Sequence, residues 1–396
     1  MNHPNPLAAG GQGKIFVSFF SPSESHCFKK CHIGWNPGLW RMIGYKTAWP
    51  VIRLLPPEFA HQLALLALRM PAPSIFQLAH DPFDWQGLRF RNRVGIAAGF
   101  DKNAIALRGI ESLGAGFVEV GTILVKPWRG NDVRPRVKRI TSTEAIWNRL
   151  GFPSLGLDRI RKNLEAFPRE VRNGLVVGCN IGPHPGNVRE AKSVTDYLTT
   201  ARDEMLQLAP ALYEHADFFV VNLSSPNTPG LRNLLQSDDL SERLFHPLRQ
   251  AIRQCDSKSK PPRQTPLLVK LPPEDADRVP WSCESLKTIV EPLVASDACD
   301  GFVAVNTSSR LAAAIGEESG GISGGPLRTT ALQVVRHLRH LIGAHRLIVG
   351  SGGITNPEHG AEFIKAGSNL VEIYSGLVYR GPGLIADSAA ELIKQS

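Results

Sequence analysis

Long apolar runs are absent from this 396-residue chain, and none approaches the ~18 residues that a membrane-crossing helix requires. Cysteine is sparse too: Cys27, Cys31, Cys179, Cys255, Cys283 and Cys299 are scattered without the paired spacing of a disulfide framework, which points to a reducing compartment. HCFKKCH, at 26–32, has metal-ligand residue types, but no second Cys/His pair follows at finger spacing, so no metal is expected. No cluster of His, Asp or Glu forms a metal site or a carboxylate pair, and no GxGxxG follows the first strand-like run as a dinucleotide-binding sheet would require. IFVSFF, at 15–20, is too short for the apolar part of a secretory leader, and no small-residue cleavage site is clear.

The balance of 42% hydrophobic and 20% charged residues is that of a globular chain long enough to bury a large core. Its net charge of +9 is unevenly spread: residues 1–79 hold seven lysines and arginines against Glu24 and Glu58. With no nucleic-acid motif or arginine–aromatic interleaving, this basic segment points to an anionic membrane surface rather than to nucleic acid. Residues 1–37 read as a poorly ordered tail. Residues 38–80 read as a small helical extension, with one helix ending before Pro50 and another starting after Pro56 and Pro57. In the second, Phe59, Leu63, Leu66 and Met70 form one apolar strip and Leu65 and Leu68 another, so one strip can pack inward while the other needs a partner.

From residue 94 a rhythm begins. VGIAAGF, GFVEVGT, GLVVGCNIG, DFFVVNLSS, PLLVKLPP, GFVAVNTSS, RLIVGSGGI and LVEIYSG are eight apolar, often β-branched runs separated by amphipathic stretches. Strands apolar on both faces, alternating with helices, make a parallel sheet covered on both sides, and eight such units predict an α/β fold, a (β/α)8 TIM barrel over 81–396. In such barrels the strands' C-terminal ends build the site. Polar residues collect there on all eight runs: Lys102, Thr122, Asn180, Asn222 with Ser225 and Asn227, Lys270, Asn306 with Thr307, Gly352 with Gly353, and Tyr374 with Ser375.

Glycine-rich turns bring backbone N–H groups to a phosphate, so Gly350, Gly352, Gly353, Tyr374 and Ser375 are phosphate-site candidates, with GGISGG at 320–325 able to close over them. Lys102 and Lys270 adjoin apolar segments and need anions or carbonyls. Asn148, Asn180, Asn222, Asn227 and Asn306 offer the alternating donors and acceptors that suit a pyrimidine or an isoalloxazine edge. The chemistry therefore belongs to an organic, phosphate-bearing cofactor that the protein positions.

AAGFDK, PRVKR with IWNRLGF, VNLSSPNTPGLR, VKLPP, VNTSS, GGISGGPL, IVGSGGI and IYSGL resemble, in order and spacing, the FMN-dependent dihydroorotate dehydrogenases, from about residue 39 to the C-terminus. The resemblance implies oxidation of dihydroorotate to orotate in pyrimidine synthesis, with Ser225 as the base. A serine at this position points to the quinone-linked, membrane-associated branch. It further implies that Ala97, Ala98, Gly99, Phe100, Asp101, Thr122, Asn180, Asn222, Lys270, Val305, Gly324, Gly353, Tyr374 and Ser375 hold FMN. Lys102, Asn148, Arg149, Leu150, Gly151, Phe152, Asn222, Asn227, Asn306 and Thr307 would hold substrate, with His61 and Arg139 at the inner end of a quinone tunnel. A peripheral membrane location is implied as well, at the cytoplasmic face in a bacterium or the mitochondrial inner membrane in a eukaryote. The chain departs from the family pattern at GPHPGN (182–187), where GKNK is usual, at Pro153 and at Gly325. These departures bear on the loop over the site, and so on affinity and rate more than on reaction type; GPHPGN suggests as one alternative a flavin-binding relative of reduced or different activity, and a phosphate-binding barrel isomerase is the alternative from another enzyme class.

Overall fold

A computed structural model describes residues 44–69 and 81–395; the expected tail, HCFKKCH and Met70 fall outside the described residues. Two helices come first, α1 at Tyr45–Ile52 and α2 at Pro57–Arg69. The first was expected to stop before Pro50 but runs through it. The proline removes a single N–H, and the helix closes beyond it where the Arg53 N–H meets the Trp49 carbonyl at 2.9 Å. In α2, Leu65 and Leu68 pack against the main core, while Phe59, Leu63 and Leu66 stay exposed, so the two strips separate as their spacing predicts.

A hairpin, β1 (Phe83–Trp85) and β2 (Leu88–Phe90), turns at Gln86 and Gly87, both in the left-handed region that such two-residue turns demand. The expected eight strands all form: β3 (Val94–Ile96), β4 (Phe117–Ile123), β7 (Val176–Ile181), β8 (Phe218–Asn222), β9 (Leu267–Leu271), β10 (Gly301–Ala304), β12 (Leu347–Ser351) and β13 (Leu370–Ile373). They close in that order into a parallel barrel, β13 pairing back onto β3. The intervening β5 (Val137–Ile140), β6 (Ala145–Asn148) and β11 (Gly321–Gly324) were not foreseen. They form an antiparallel sheet seated on buried Trp147, and it carries Asn148 and Gly324 to the barrel mouth.

Alternation along each strand sorts side chains to the two sides of the wall. Val118, Val177, Phe219, Val269, Phe302, Ile348 and Val371 face the helices. Phe117, Val176, Phe218, Val220, Leu268, Val303, Leu347, Val349 and Leu370 fill the lumen, and Phe90 of the hairpin plugs it from below. The lumen holds two Phe rings at one level only because neighbouring strands lack side chains there. A Cβ on Gly178 would lie 2.1 Å from the Phe218 ring, and one on Gly95 2.5 Å from the Phe117 ring. Gly178→Ala should therefore cost roughly 1–3 kcal/mol by overpacking, read as a lower urea midpoint at unchanged slope. Phe218→Leu in the same chain should restore part of the loss, and an unchanged midpoint would rule this packing out.

Candidate active site

Two residues above the apolar plug, the same alternation turns Glu119 of β4, Asn180 of β7, Asn222 of β8, Lys270 of β9 and Glu372 of β13 into the lumen, all buried. The Lys270 ammonium lies 2.9 Å from Glu372 Oε1 and 3.3 Å from each Glu119 oxygen. Burial alone would lower its pKa; the two carboxylates outweigh burial and raise it. Glu119 is pushed up to about 8, first by burial and then by the charge of Glu372, against the pull of Lys270. This pair corrects the expectation that no two carboxylates meet.

From this level a chain of hydrogen bonds climbs to the mouth. Asn180 donates to Glu119 and accepts from Thr122 Oγ1 at 2.6 Å; Asn222 Nδ2 reaches Thr122 Oγ1 at 2.9 Å and Asn180 Oδ1 at 3.2 Å. The Ser224 hydroxyl donates to Asn222 Oδ1 at 2.9 Å and accepts from Asn306 Nδ2 at 2.9 Å. With both amide groups engaged, Asn222 and Asn306 have fixed orientations.

A cavity, open to solvent at its mouth, lies over this network. Ala97, Ala98, Gly99 and Lys102 line it after β3, and Thr122 from the end of β4. Asn148, Leu150, Gly151 and Phe152 come from β6 and beyond, Asn222, Ser225 and Asn227 from β8, and Lys270 from β9. Val305, Asn306 and Thr307 follow β10, Gly324 ends β11, Gly353 follows β12, and Tyr374 and Ser375 follow β13. The wall thus presents an ammonium and amides from β8 and β9, and glycines from β11 and the loop after β12 with Ser323 and Ser375, whose hydroxyls are 2.8 Å apart.

The other expected residues act at one remove. Asn180 stands below the wall and orients Thr122 and Asn222. Asp101 is buried, and its carboxylate accepts the N–H groups of Ile105 and Ala106 at the head of helix Leu107–Ser112. Phe100 packs on Tyr374, ring centroids 6.0 Å apart, and Arg149 turns outward over Trp147 and donates to the Pro135 carbonyl. Gly350 lies within β12 beneath Phe363 rather than at the cavity wall. His61 of α2 meets Phe100 edge-on at 5.4 Å and stacks on Tyr374 at 6.4 Å. Arg139 donates to the Arg53 and Leu55 carbonyls, fixing the turn between α1 and α2. His61 and Arg139 thus flank the helical extension on separate contacts.

Ser225 is buried, and its Oγ accepts the Asn227 N–H at 3.2 Å. Asn227 Nδ2 donates to Asn148 Oδ1 at 3.1 Å, while Asn227 Oδ1 is buried without a partner. Behind this loop Arg232, which sequence reasoning passed over, donates to the Ser224 carbonyl at 3.1 Å, the Thr307 carbonyl at 3.0 Å and Glu274 at 3.1 Å. Glu274 in turn accepts from Ser308 and from Ser309. The loops after β8 and β10 are therefore locked together. In the GPHPGN departure, His184 accepts the Gly186 N–H at 3.1 Å and packs edge-on against Trp128, whose indole donates to the Gly151 carbonyl. The altered loop is internally braced and still touches the segment that carries Gly151. A lysine at the cavity's apolar edge behaves as its surroundings require: Lys102 donates to the Gly99 carbonyl, and burial above all lowers its pKa to about 8.

Residues 83–395 match a family model described as dihydroorotate dehydrogenase. The chain is 36% identical over 368 residues to a dihydroorotate dehydrogenase (quinone) of Polaromonas naphthalenivorans, covering 90% of this chain and 99% of that one. It is 37% identical over 379 residues to a protein of the same name from Albidiferax ferrireducens, with coverage of 90% and 99%. The crystal structure of DHODH from Eimeria tenella in complex with ferulenol is similar with a TM-score of 0.72 at 31% identity, over 86% of this chain and 91% of that one. The ligand-free form gives 0.71 and 30%, over 85% and 94%.

The His61 site makes a prediction about stability. Burial first, then the Lys102 charge, lowers its pKa to about 4 from an ordinary 6.5, against a raising contact with the Phe100 backbone. Between those values the unfolded chain binds the extra proton, so this residue's contribution to stability is lost as pH falls from 6.5 towards 4. His61→Phe, which keeps a ring against Phe100 and Tyr374, should reduce the stability lost between pH 7 and pH 5 by roughly 1–2 kcal/mol in urea titrations. An equal loss in both proteins would mean that the imidazole is not desolvated.

Proposed function

The chain belongs to the dihydroorotate dehydrogenase family, and we propose that its cavity binds FMN with the isoalloxazine over Lys270 and the phosphate at the glycine–serine end. The protein is a flavin-dependent dihydroorotate dehydrogenase that oxidises dihydroorotate to orotate in pyrimidine synthesis and passes the electrons to a quinone. The residues present fit the cofactor: one cavity is lined both by an ammonium with two oriented amides and by Gly324, Gly353 and Ser375. A bound flavin supplies the acceptor for the hydride that leaves C6 of the substrate.

The remaining chemistry falls to the side chains. Ser225 Oγ takes the C5 proton, so loss of this proton and of the hydride from C6 leaves the C5–C6 double bond of orotate. A serine is a weak base in water, and here it is buried, with a backbone N–H as its hydrogen-bond partner. Asn148 and Asn227 are already paired, and the free Asn227 Oδ1 is an acceptor waiting for a ring N–H. Asn306 and Thr307 line the same cavity with an amide and a hydroxyl, and Lys102 offers a cation for the carboxylate. The observation that carries this reading is the convergence of Ser225, Asn148, Asn227 and Asn306 on the cavity whose floor is Lys270.

Quinone enters, on this reading, between the helical extension and the barrel. Val51, Leu54, Phe59, Leu63 and Leu66 are exposed along α1, the turn after it and α2, in a segment of basic charge, and suit an interfacial helix pair on an anionic bilayer. No helix among the described residues is long and apolar enough to cross a membrane.

Ser225→Ala should retain FMN and lose roughly 10²- to 10⁴-fold in dihydroorotate-dependent flavin reduction, followed by stopped-flow absorbance. Reduction at the wild-type rate would remove Ser225 from the role of base. Comparing a quinone, fumarate and NAD as acceptors tests the activity itself, and quinone should be strongly preferred. A Leu63→Glu, Leu66→Glu double variant should keep flavin reduction by dihydroorotate while losing flotation with anionic vesicles and long-chain quinone turnover. Undiminished vesicle binding would place the membrane contact elsewhere.

A further inference from the structure

Beneath the cavity two carboxyl groups and one ammonium share a level of the lumen that is almost closed to water. Lys270 is 4% exposed and Glu119 and Glu372 are each 1% exposed. Among the described residues only these three groups bring charge to the level. β7 and β8 contribute the neutral Asn180 and Asn222, β10 and β12 contribute Val303 and Val349 just below, and β3 contributes Gly95. With both carboxyls ionised, the level would carry one uncompensated negative charge in a low-dielectric space, and like charges this close cannot both ionise cheaply. One proton cancels it. The two acids share Lys270 and differ in their other contacts: Glu119 also accepts from the Asn180 amide, whereas Glu372 Oε2 is buried without a partner and its residue lines the cavity.

We propose that Glu119 and Glu372 hold a single proton between them, and that this shared proton keeps the floor beneath the flavin electrically neutral and so sets how readily the cofactor is reduced. The proposal rests on the flavin lying over Lys270. Both acids are positioning residues that act through Lys270. Reduction by substrate adds two electrons and one proton to the cofactor, and its negative charge grows on the Lys270 side. A neutral floor leaves the ammonium free to offset that charge. Once the shared proton has gone to solvent, the second carboxylate neutralises the ammonium's benefit, and reduction becomes harder unless a proton returns from solvent with the electrons. Since Glu119 holds its proton up to about 8, the floor is neutral below that pH and gains a negative charge above it.

The test is a redox titration of the FMN-loaded protein with indicator dyes from pH 6 to pH 9.5, reading the flavin spectrum. Above pH 8 the reduction equilibrium of the wild type should lose a further tenfold per pH unit, an extra slope of about 30 mV per unit for two electrons. Glu372→Gln, whose amide mimics the protonated acid, should follow the wild type below pH 8, lack the extra slope and be easier to reduce at pH 9. Identical slopes in the two proteins across the range would overturn the proposal. If the variant does not fold, the infrared carboxylic-acid carbonyl stretch of the wild type decides: it should be present at pH 7 and fade above pH 8, and its absence at pH 7 would overturn the proposal. A protein that folds but takes up no FMN would instead refute the cofactor assignment, while the infrared band would still report on the shared proton.

Discussion

Lys270 stands where the barrel lumen passes from apolar to polar, and its ammonium is tolerable there only because two carboxylates close upon it. Below it the lumen is filled with Phe117, Phe218, Leu268 and their neighbours. Above it lies the open, polar-lined cavity. An unpaired ammonium at this boundary would cost several kcal/mol or shed its proton, and a bare carboxylate would fare no better. The charged level therefore acts as the floor on which a planar, electron-accepting ring can rest, and the apolar plug denies water any approach from beneath.

Rigidity at the mouth follows from that floor. Asn180 is anchored on Glu119, so the orientation of its amide is set from below, and it passes that orientation to Thr122 and Asn222. Ser224 and Asn306 continue the chain, and Arg232 with Glu274 clamps the two loops from the rear. On the proposed reading Ser225 is the base, and a serine, only weakly basic, depends on being held at the right atom without competing water. The value of the network lies in that fixity, since buried amides that are fully satisfied have no second orientation of similar energy.

Much of this was legible in the sequence, for identifiable reasons. Strands covered on both faces must be apolar throughout, so the eight barrel strands stood out as runs, and the polar residues that interrupted them could only lie at their ends. The β5–β6–β11 sheet was missed because its strands are four residues each, with β11 joined to β6 across the chain. Motif adjacency could not tell which side of the wall a residue faces. Phe100 and Asp101 follow Gly99 in AAGFDK yet turn away, one to packing and the other to a helix head. The Glu119–Glu372 pair escaped because each acid appears singly in its own strand. The signal was nevertheless present: in GFVEVGT and LVEIYSG a lone carboxylate sits two positions after a lumen residue, Phe117 or Leu370, and closure of the barrel brings both to the same level.

The same geometry gives the site two faces. Ser225, Asn148, Asn227 and Asn306 gather on the side of the β8 and β10 loops, whereas Tyr374, Phe100 and His61 form an aromatic stack leading toward α2. On the proposed reading, substrate approaches from the first side and quinone from the second, with the flavin between them as the one part both can reach. A polar, hydrogen-bonding pocket suits a small charged acid, and an aromatic wall beside exposed leucines suits a lipid-borne acceptor. On that reading the two half-reactions would be separated by the chemistry of their walls, and a cofactor over Lys270 would be the path by which electrons cross.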